Sequence, residues 1–307
     1  MDTIKTTLLS IVFVYIFIIL GYIAKRIFKD EMDSKTLTIF SVYFLQPFVT
    51  VWGFSTAKLS LNDIYVPIYY LIIISILLIP TIIIAKIAFE DPKERAIFSI
   101  AGFVGNTGNI GIPLSMALFG EEAVIYATLI NIANVFVVYV LGVYIYSRGS
   151  FSIKKSLFNI VKIPIIPAST IAILININHI ELNPQIKELL KMGAYGGIVL
   201  QLFLLGTFLY GIRLNQIKKS LLIGTLSQKF IILPLIGAII LSFTNLPLYI
   251  QGVILMEMMT PLAVANINLA SLYNCRPKDV TTLILLSTLI FIPVLFLLSY
   301  IISNYYL

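Results

Sequence analysis

The chain has 307 residues, 59% of them hydrophobic and only 11% charged, with a mean hydropathy of +1.01. A soluble globular domain carries about 25% charged residues, so this composition is that of an integral protein of the lipid bilayer. The single cysteine (Cys275) and single histidine (His179) exclude an intramolecular disulfide and any multi-cysteine or multi-histidine metal centre, so no metal and no cofactor is expected; the +7 net charge is scattered through short loops, which argues against nucleic acid as a partner.

Ten apolar stretches approach the ~20 residues that a helix needs to cross the hydrocarbon core. In chain order they are residues 7–28, 36–54, 64–88, 96–119, 122–147, 157–177, 193–213, 220–243, 248–273 and 279–303. The first is too long for a signal-peptide core and lacks a small-residue cleavage site, so it reads as a retained span. Gly120-Glu121 and Thr244 to Pro247 make tight turns between neighbouring spans.

Orientation follows from the basic residues. All of the 21 Lys and Arg except Lys5, Lys58, Lys187 and Lys191 fall in or near the odd-numbered loops, with Lys229 assigned to the inner part of the eighth span. Cytoplasmic loops carry the excess of Lys and Arg, so the odd loops face the cytoplasm and both termini lie outside a cell membrane.

Ten spans divide into five and five, and an odd number per half inverts the second half relative to the first. Residues 1–150 form the first five-helix repeat and 151–307 the second, with similar punctuation. Each second span has a helix-disturbing element (Gln46-Pro47; Gln201 with Gly206), each third an internal proline (Pro80; Pro234), and each fourth is broken. The expected fold is therefore all-α, with ten transmembrane helices in two inverted repeats and broken, crossing spans 4 and 9.

The breaks are GNTGNIGIP, residues 105–113, and TPLAVANIN, residues 260–268. Gly105, Gly108 and Gly111 weaken the helix and Pro113 removes a donor, so the helix is expected to open there. Opening exposes carbonyls on one half-helix and N–H groups on the next, and in lipid such groups persist only against protein or a polar cavity. Asn106, Thr107 and Asn109 from the first break and Thr260, Pro261, Asn266 and Asn268 from the second supply amides and hydroxyls around that opening. A carboxylate could then sit against two helix starts without a Lys or Arg. Gln46 beside Pro47 is a further candidate for the substrate site, and Gly108, Gly111, Pro113, Thr260 and Pro261 are the expected hinge.

Glu257 lies in the apolar run VILMEMM, four residues before Pro261. An intramembrane acid is costly unless paired or protonated, so Glu257 is the candidate for H+ or Na+ coupling. Asn131, Asn134, Gln201 and Gln228 read as interhelical glue.

These two stretches, NTGNIGIP (Asn106 to Pro113) and PLAVANINLASLYNCRPKD (Pro261 to Asp279), resemble the auxin efflux carrier family, the plant PIN-type carriers and their prokaryotic relatives. The link between the fifth and sixth spans is short, as in a prokaryotic member, and Asn266 stands where plant members tend to have proline. The resemblance implies a scaffold domain, a transport domain holding an X-shaped crossover, a homodimer, and movement of small organic acids. It also implies a substrate contact for Asn106. A sodium/proton antiporter of similar crossed-helix design ranks second, because both breaks lack Asp and Glu. An intramembrane enzyme would need paired acids for metal and diphosphate, or a Ser/His or Asp pair for proteolysis; no aspartate-rich motif appears, and His179 falls in an outer loop.

Overall fold

The computed structural model describes residues 16–56, 61–147, 164–210 and 217–305. The chain ends that carry the expected outside termini and the boundary at residue 150 lie outside the described residues, as does the side chain of Asn268.

The architecture is an all-α bundle that combines membrane-length helices with shorter ones. In order these are α1 (16–28), α2 (Thr36–Ser55), α3 (Tyr65–Ala88), α4 (Pro92–Ile100), α5 (Thr107–Phe119), α6 (Ala123–Tyr146), α7 (Ile165–Ile177), α8 (Pro184–Leu209), α9 (Lys219–Ser242), α10 (Leu248–Met259), α11 (Ala265–Leu272) and α12 (Pro277–Tyr305). Five of them (α2, α3, α6, α9 and the Pro277–Leu298 part of α12) are long and apolar enough to cross a membrane, and α5, α7 and α10 are shorter apolar helices.

α3 shows what solvent the fold was built for. Val66, Tyr70, Ile73, Leu77 and Thr81 are buried on one face, while Ile72, Ile76, Ile79, Ile83 and Ile87 form an exposed stripe at helical spacing. Water would penalise that stripe at roughly 25 cal/mol per Å², whereas lipid tails match it. Both faces of the helix are apolar, so the interior face is distinguished by packing and by its few polar atoms.

The disturbances expected in the second and third spans take particular forms. In α2 a wide π-type turn at Ser41–Leu45 precedes Gln46, and in α9 another at Gln228–Ile232 precedes Pro234; α3 runs through Pro80 unbroken. α8 is likewise continuous from Pro184 to Leu209, so Gly206 does not disturb it. Its glycine serves close approach instead: a Cβ there would collide with the Ile18 carbonyl, and one on Gly21 would collide with the Phe203 carbonyl, so α1 and α8 touch backbone to backbone.

The α4–α5 and α10–α11 pairs cover the two stretches expected to be broken, and the chain is interrupted between the helices of each pair. α4 starts at a cap in which Asp91 accepts from the Lys93 N–H at 2.8 Å with Pro92 in the first turn. It ends at Ile100, and the chain is non-helical from Val104 to Asn106 after one tight turn at Ala101–Phe103. The helix therefore opens at the start of the expected stretch, around Gly105, and not at Pro113. Gly108 and Gly111 lie in the wide first turn of α5, and Pro113 sits in its regular first turn, where a missing N–H costs little. The second interruption runs from Thr260 to Val264 with Pro261 inside it.

Candidate functional site

The two interruptions meet each other. Gly105 and Leu262 form an isolated antiparallel bridge, with the Asn106 N–H donating to the Pro261 carbonyl at 2.8 Å and the Ala263 N–H donating to the Val104 carbonyl at 2.9 Å. An unmade backbone hydrogen bond costs several kcal/mol in a membrane interior, so each break satisfies the other. Side chains close the remaining gaps. Asn134 Nδ2 donates to the Gly105 carbonyl at 2.8 Å, Asn266 Nδ2 to the Val104 carbonyl at 3.2 Å, and Ser287 Oγ accepts from the Leu262 N–H at 3.1 Å. The Asn106 carbonyl accepts from both Ile110 and Gly111, which sets the wide turn that opens α5.

Beside this junction lies a cleft of about 180 Å³. Gly105, Asn106, Gly108 and Asn109 line it from the first break, Ala263, Val264 and Ala265 from the second, Thr38 and Gln46 from α2, and Asn131 and Asn134 from α6. The first-turn N–H groups of α5 have no preceding turn to bond to, so Gly108 and Asn109 bring a positive helix end to the cleft wall. No Asp or Glu is among the lining residues.

Of the residues expected at the substrate site, Asn106, Asn109 and Gln46 line the cleft. Gln46 Oε1 accepts from Gln201 Nε2, leaving the buried Gln46 Nε2 as an unpartnered donor. Thr107 and Asn266 stand one step behind the wall. Thr107 Oγ1 donates to Asn131 Oδ1 at 2.9 Å and accepts from Asn134 Nδ2 at 3.1 Å, while Asn266 Oδ1 accepts from the Tyr146 hydroxyl at 3.0 Å. The expected hinge residues Gly108, Thr260 and Pro261 are all at the junction: a Cβ on Gly108 would lie 3.0 Å from Asn131 Oδ1, and Thr260 Oγ1 donates to the Glu257 carbonyl at 2.7 Å. Asn131 and Asn134 are the glue they were read as, and they also line the cleft. Their i, i+3 spacing on one face of α6 was the available signal.

Glu257 is fully buried on the other side of the first break. Its Oε1 accepts from Ser115 Oγ at 3.0 Å and its Oε2 has no partner. A Cβ on Gly111 would collide with this carboxylate. Lys229 is equally buried and its Nζ is also unpartnered. A Cβ on Gly105 would lie 2.8 Å from Lys229 Nζ and 2.8 Å from Thr260 Oγ1. Sequence reasoning assigned Lys229 to the inner part of the eighth span, among the residues that set orientation; the structure places it against the first break. Among the described residues no group of three or more His, Cys, Asp and Glu stands ready to hold a metal.

The profile of one family, described as membrane transport protein, matches residues 6–156 and 148–299. The chain belongs to the membrane transport protein family. It is also similar to an uncharacterized transporter of Methanocaldococcus jannaschii, 23% identical over 303 residues that cover 96% of this chain and 98% of the relative. It is thus an auxin-efflux-carrier-like transporter that moves a solute across a membrane, and not an enzyme.

The ends of the transporter differ. The cleft is lined toward the start of α2 by Thr38, the later part of α6 by Val138 and Tyr139, and the start of α7 by Ile165. At the opposite end, Glu121 in the α5–α6 turn accepts from the Tyr195 hydroxyl at 2.7 Å and pairs with Lys191 at 3.1 Å, both on α8, and Tyr195 packs edge-on to Trp52 at 5.3 Å. The Tyr195 hydrogen bond, with Lys191 beside it, holds the Glu121 carboxyl below the usual carboxylate range despite partial desolvation. At the first end, Arg276 reaches Asp91 at 2.5 Å and Glu94 at 2.8 Å, and Lys218 reaches Glu94 at 3.2 Å, tying together the chain entering α4, α9 and α12. The Lys93 N–H, and then Arg276, hold Asp91 below the usual range.

Proposed function

We propose that the transporter carries a small organic anion, a mono- or dicarboxylate, bound in the cleft where the two interrupted spans meet. The carrying observation is that cleft: amides and a helix start converge on it and no acid lines it. Asn106, Asn109 and Gln46 contact the substrate, with Thr107 and Asn266 holding the frame behind them. Two inverted five-helix repeats, the halves 1–150 and 151–307, provide the crossing pair, and the similar placement of the two interruptions supports that reading. Alternating access is elevator-like, with bending at Gly108, Gly111, Pro113, Thr260 and Pro261, and the carrier works as a homodimer. With the odd loops in the cytoplasm, the cleft lining described above belongs to an inward-facing state, and the Glu121–Lys191–Tyr195 contacts close the outer side.

Glu257 is the coupling residue for H+ or Na+ in this scheme. Its unpartnered Oε2 also favours a second reading, a sodium/proton antiporter in which Glu257 is the ion ligand itself. A thermal-shift screen of the purified protein against mono- and dicarboxylates and indole acids, with and without sodium and at two pH values, separates the two. A ligand that binds only the folded state raises its apparent stability by mass action. The anion reading expects a carboxylate hit that Asn106→Ala abolishes while the variant stays folded. Stabilisation by sodium or pH alone, with every carboxylate silent, would replace it with the antiporter.

A further inference from the structure

Lys229 has no place in the scheme so far, yet it is fully buried. Transferring an unpaired ammonium into a low-dielectric interior is penalised by several kcal/mol even after relaxation, so a buried lysine either gives up its proton or keeps a compensating charge nearby. The Lys229 amino group has no hydrogen-bond partner, and the Glu257 carboxylate keeps one oxygen unpartnered. They come from different spans, α9 and α10, and reach the same strand of chain: Lys229 Nζ abuts Gly105, and the Glu257 carboxylate abuts Gly111. Gly105, which the amino group abuts, also lines the cleft.

We propose that Lys229 is the fixed cation of the carrier, and that one proton enters Glu257 with each monoanion that enters the cleft. The inference rests on the organic-anion reading above. In the empty carrier Lys229 and Glu257 carry opposite charges and the crossover is neutral. An anion added to that arrangement would leave a net negative charge in the membrane interior, repelled by Glu257. When Glu257 takes up a proton, Lys229 is released to face the anion through Gly105, and the loaded crossover is neutral again. Both legs of the cycle then cross the membrane without net buried charge, which is the condition that a low-dielectric interior imposes. The proton comes from water, no bond to the anion forms, and the anion and proton leave together.

The surroundings of Glu257 leave this partnership uncontested. α5 presents the Ser115 hydroxyl, α3 presents Tyr70, whose hydroxyl donates to Asn134 Oδ1 at 3.2 Å, and α9 presents Lys229. α6 carries no charged residue, and α12 carries only Lys278 and Asp279, in its first turn. The Glu257–Lys229 relation is therefore the one electrostatic link between α9 and α10 that an arriving anion can switch.

The test measures proton uptake by the purified full-length protein in weakly buffered solution with a pH-indicator dye, on addition of acetate, benzoate and indole-3-acetate. A probe that binds is expected to bring one proton per site, and its affinity should fall about tenfold per pH unit wherever Glu257 is ionised in the empty carrier, because linkage between two ligands is reciprocal. Glu257→Gln should bind the same probe with no proton uptake and a flat pH profile. Lys229→Met should lose at least tenfold in affinity, also without uptake. Binding to wild type without uptake, uptake that persists in Glu257→Gln, or wild-type affinity in a folded Lys229→Met would each overturn the inference while leaving the anion site standing. Failure of Lys229→Met to fold leaves the decision to the wild-type and Glu257→Gln uptake. If no carboxylate binds wild type at all, the anion reading falls and this inference falls with it.

Discussion

Replacing Asn134 by leucine keeps the branched four-atom outline of the amide, at a larger volume, and removes its polarity, which tests what holds the junction together. Asn134 donates to the Gly105 carbonyl and to Thr107 Oγ1 and accepts from the Tyr70 hydroxyl, at 2.8, 3.1 and 3.2 Å. Polar pairs inside membrane bundles average about 0.6 kcal/mol, and a stranded buried carbonyl adds about 1 kcal/mol or more, so Asn134→Leu should cost roughly 2–3 kcal/mol. The chain has one cysteine, the fully buried Cys275, so thiol labelling reports opening of the fold from a single position. At about 1.4 kcal/mol per factor of ten, labelling through global opening should accelerate roughly thirty- to a hundredfold, with a parallel fall in the thermal midpoint. Tyr70→Phe, which removes only the longest of the three bonds, should cost under about 1 kcal/mol. Unchanged labelling and midpoint in Asn134→Leu would refute the view that this side chain pins the first break.

The glycines of the junction should rank by what a methyl group would strike. Gly111→Ala and Gly105→Ala drive a Cβ into Glu257 and into Lys229 with Thr260, and each should cost about 1–3 kcal/mol or abolish transport, whereas Gly196→Ala in α8 meets open space and should be neutral or stabilising. Equal melting temperatures for all three variants would contradict that order. At the other end of the bundle, the Glu121 carboxyl is held below the usual range when folded, so its contribution is complete above the ordinary value of 4.5 and disappears as pH falls through the lower folded value. Because Lys191 and Glu121 are about half exposed, the contribution is under about 1 kcal/mol, and Glu121→Gln should lower the melting temperature near neutral pH and converge with wild type in acid. A constant offset from acid to neutral pH would show that Glu121 acts by shape alone.

Bundle class and the two interruptions were legible because a membrane fixes the length of a span and makes a glycine-rich polar stretch conspicuous within it. Proline was the less reliable guide to where the chain opens. Pro113 sits harmlessly in a helix start, while the opening occurs at Val104 to Asn106, where the second break offers hydrogen-bond partners that no local rule could supply. Gly206 misled for a related reason: a glycine inside a continuous helix reports a neighbour's backbone, and the neighbour, α1, is distant in sequence. Lys229 was hidden by rotation. Lys229 stands mid-way along α9, and the packing of α9 against the first break turns its side chain inward. Asn131 and Asn134 could be recognised as a polar face, but not as one that both braces Thr107 and lines the cleft.

The contact between Gly105 and Leu262 is made by main-chain atoms on both sides. Main-chain donors and acceptors survive almost any change of side chain. The bridge is therefore indifferent to most side chains apart from the bare Gly105 and bracing groups such as Asn134, and the residues projecting beside it, such as Gln46, Asn109 and Val264, can differ without breaking it. In the proposed anion carrier, such a division would let new cargoes be accommodated by altering a few projecting groups while the main-chain joint is kept.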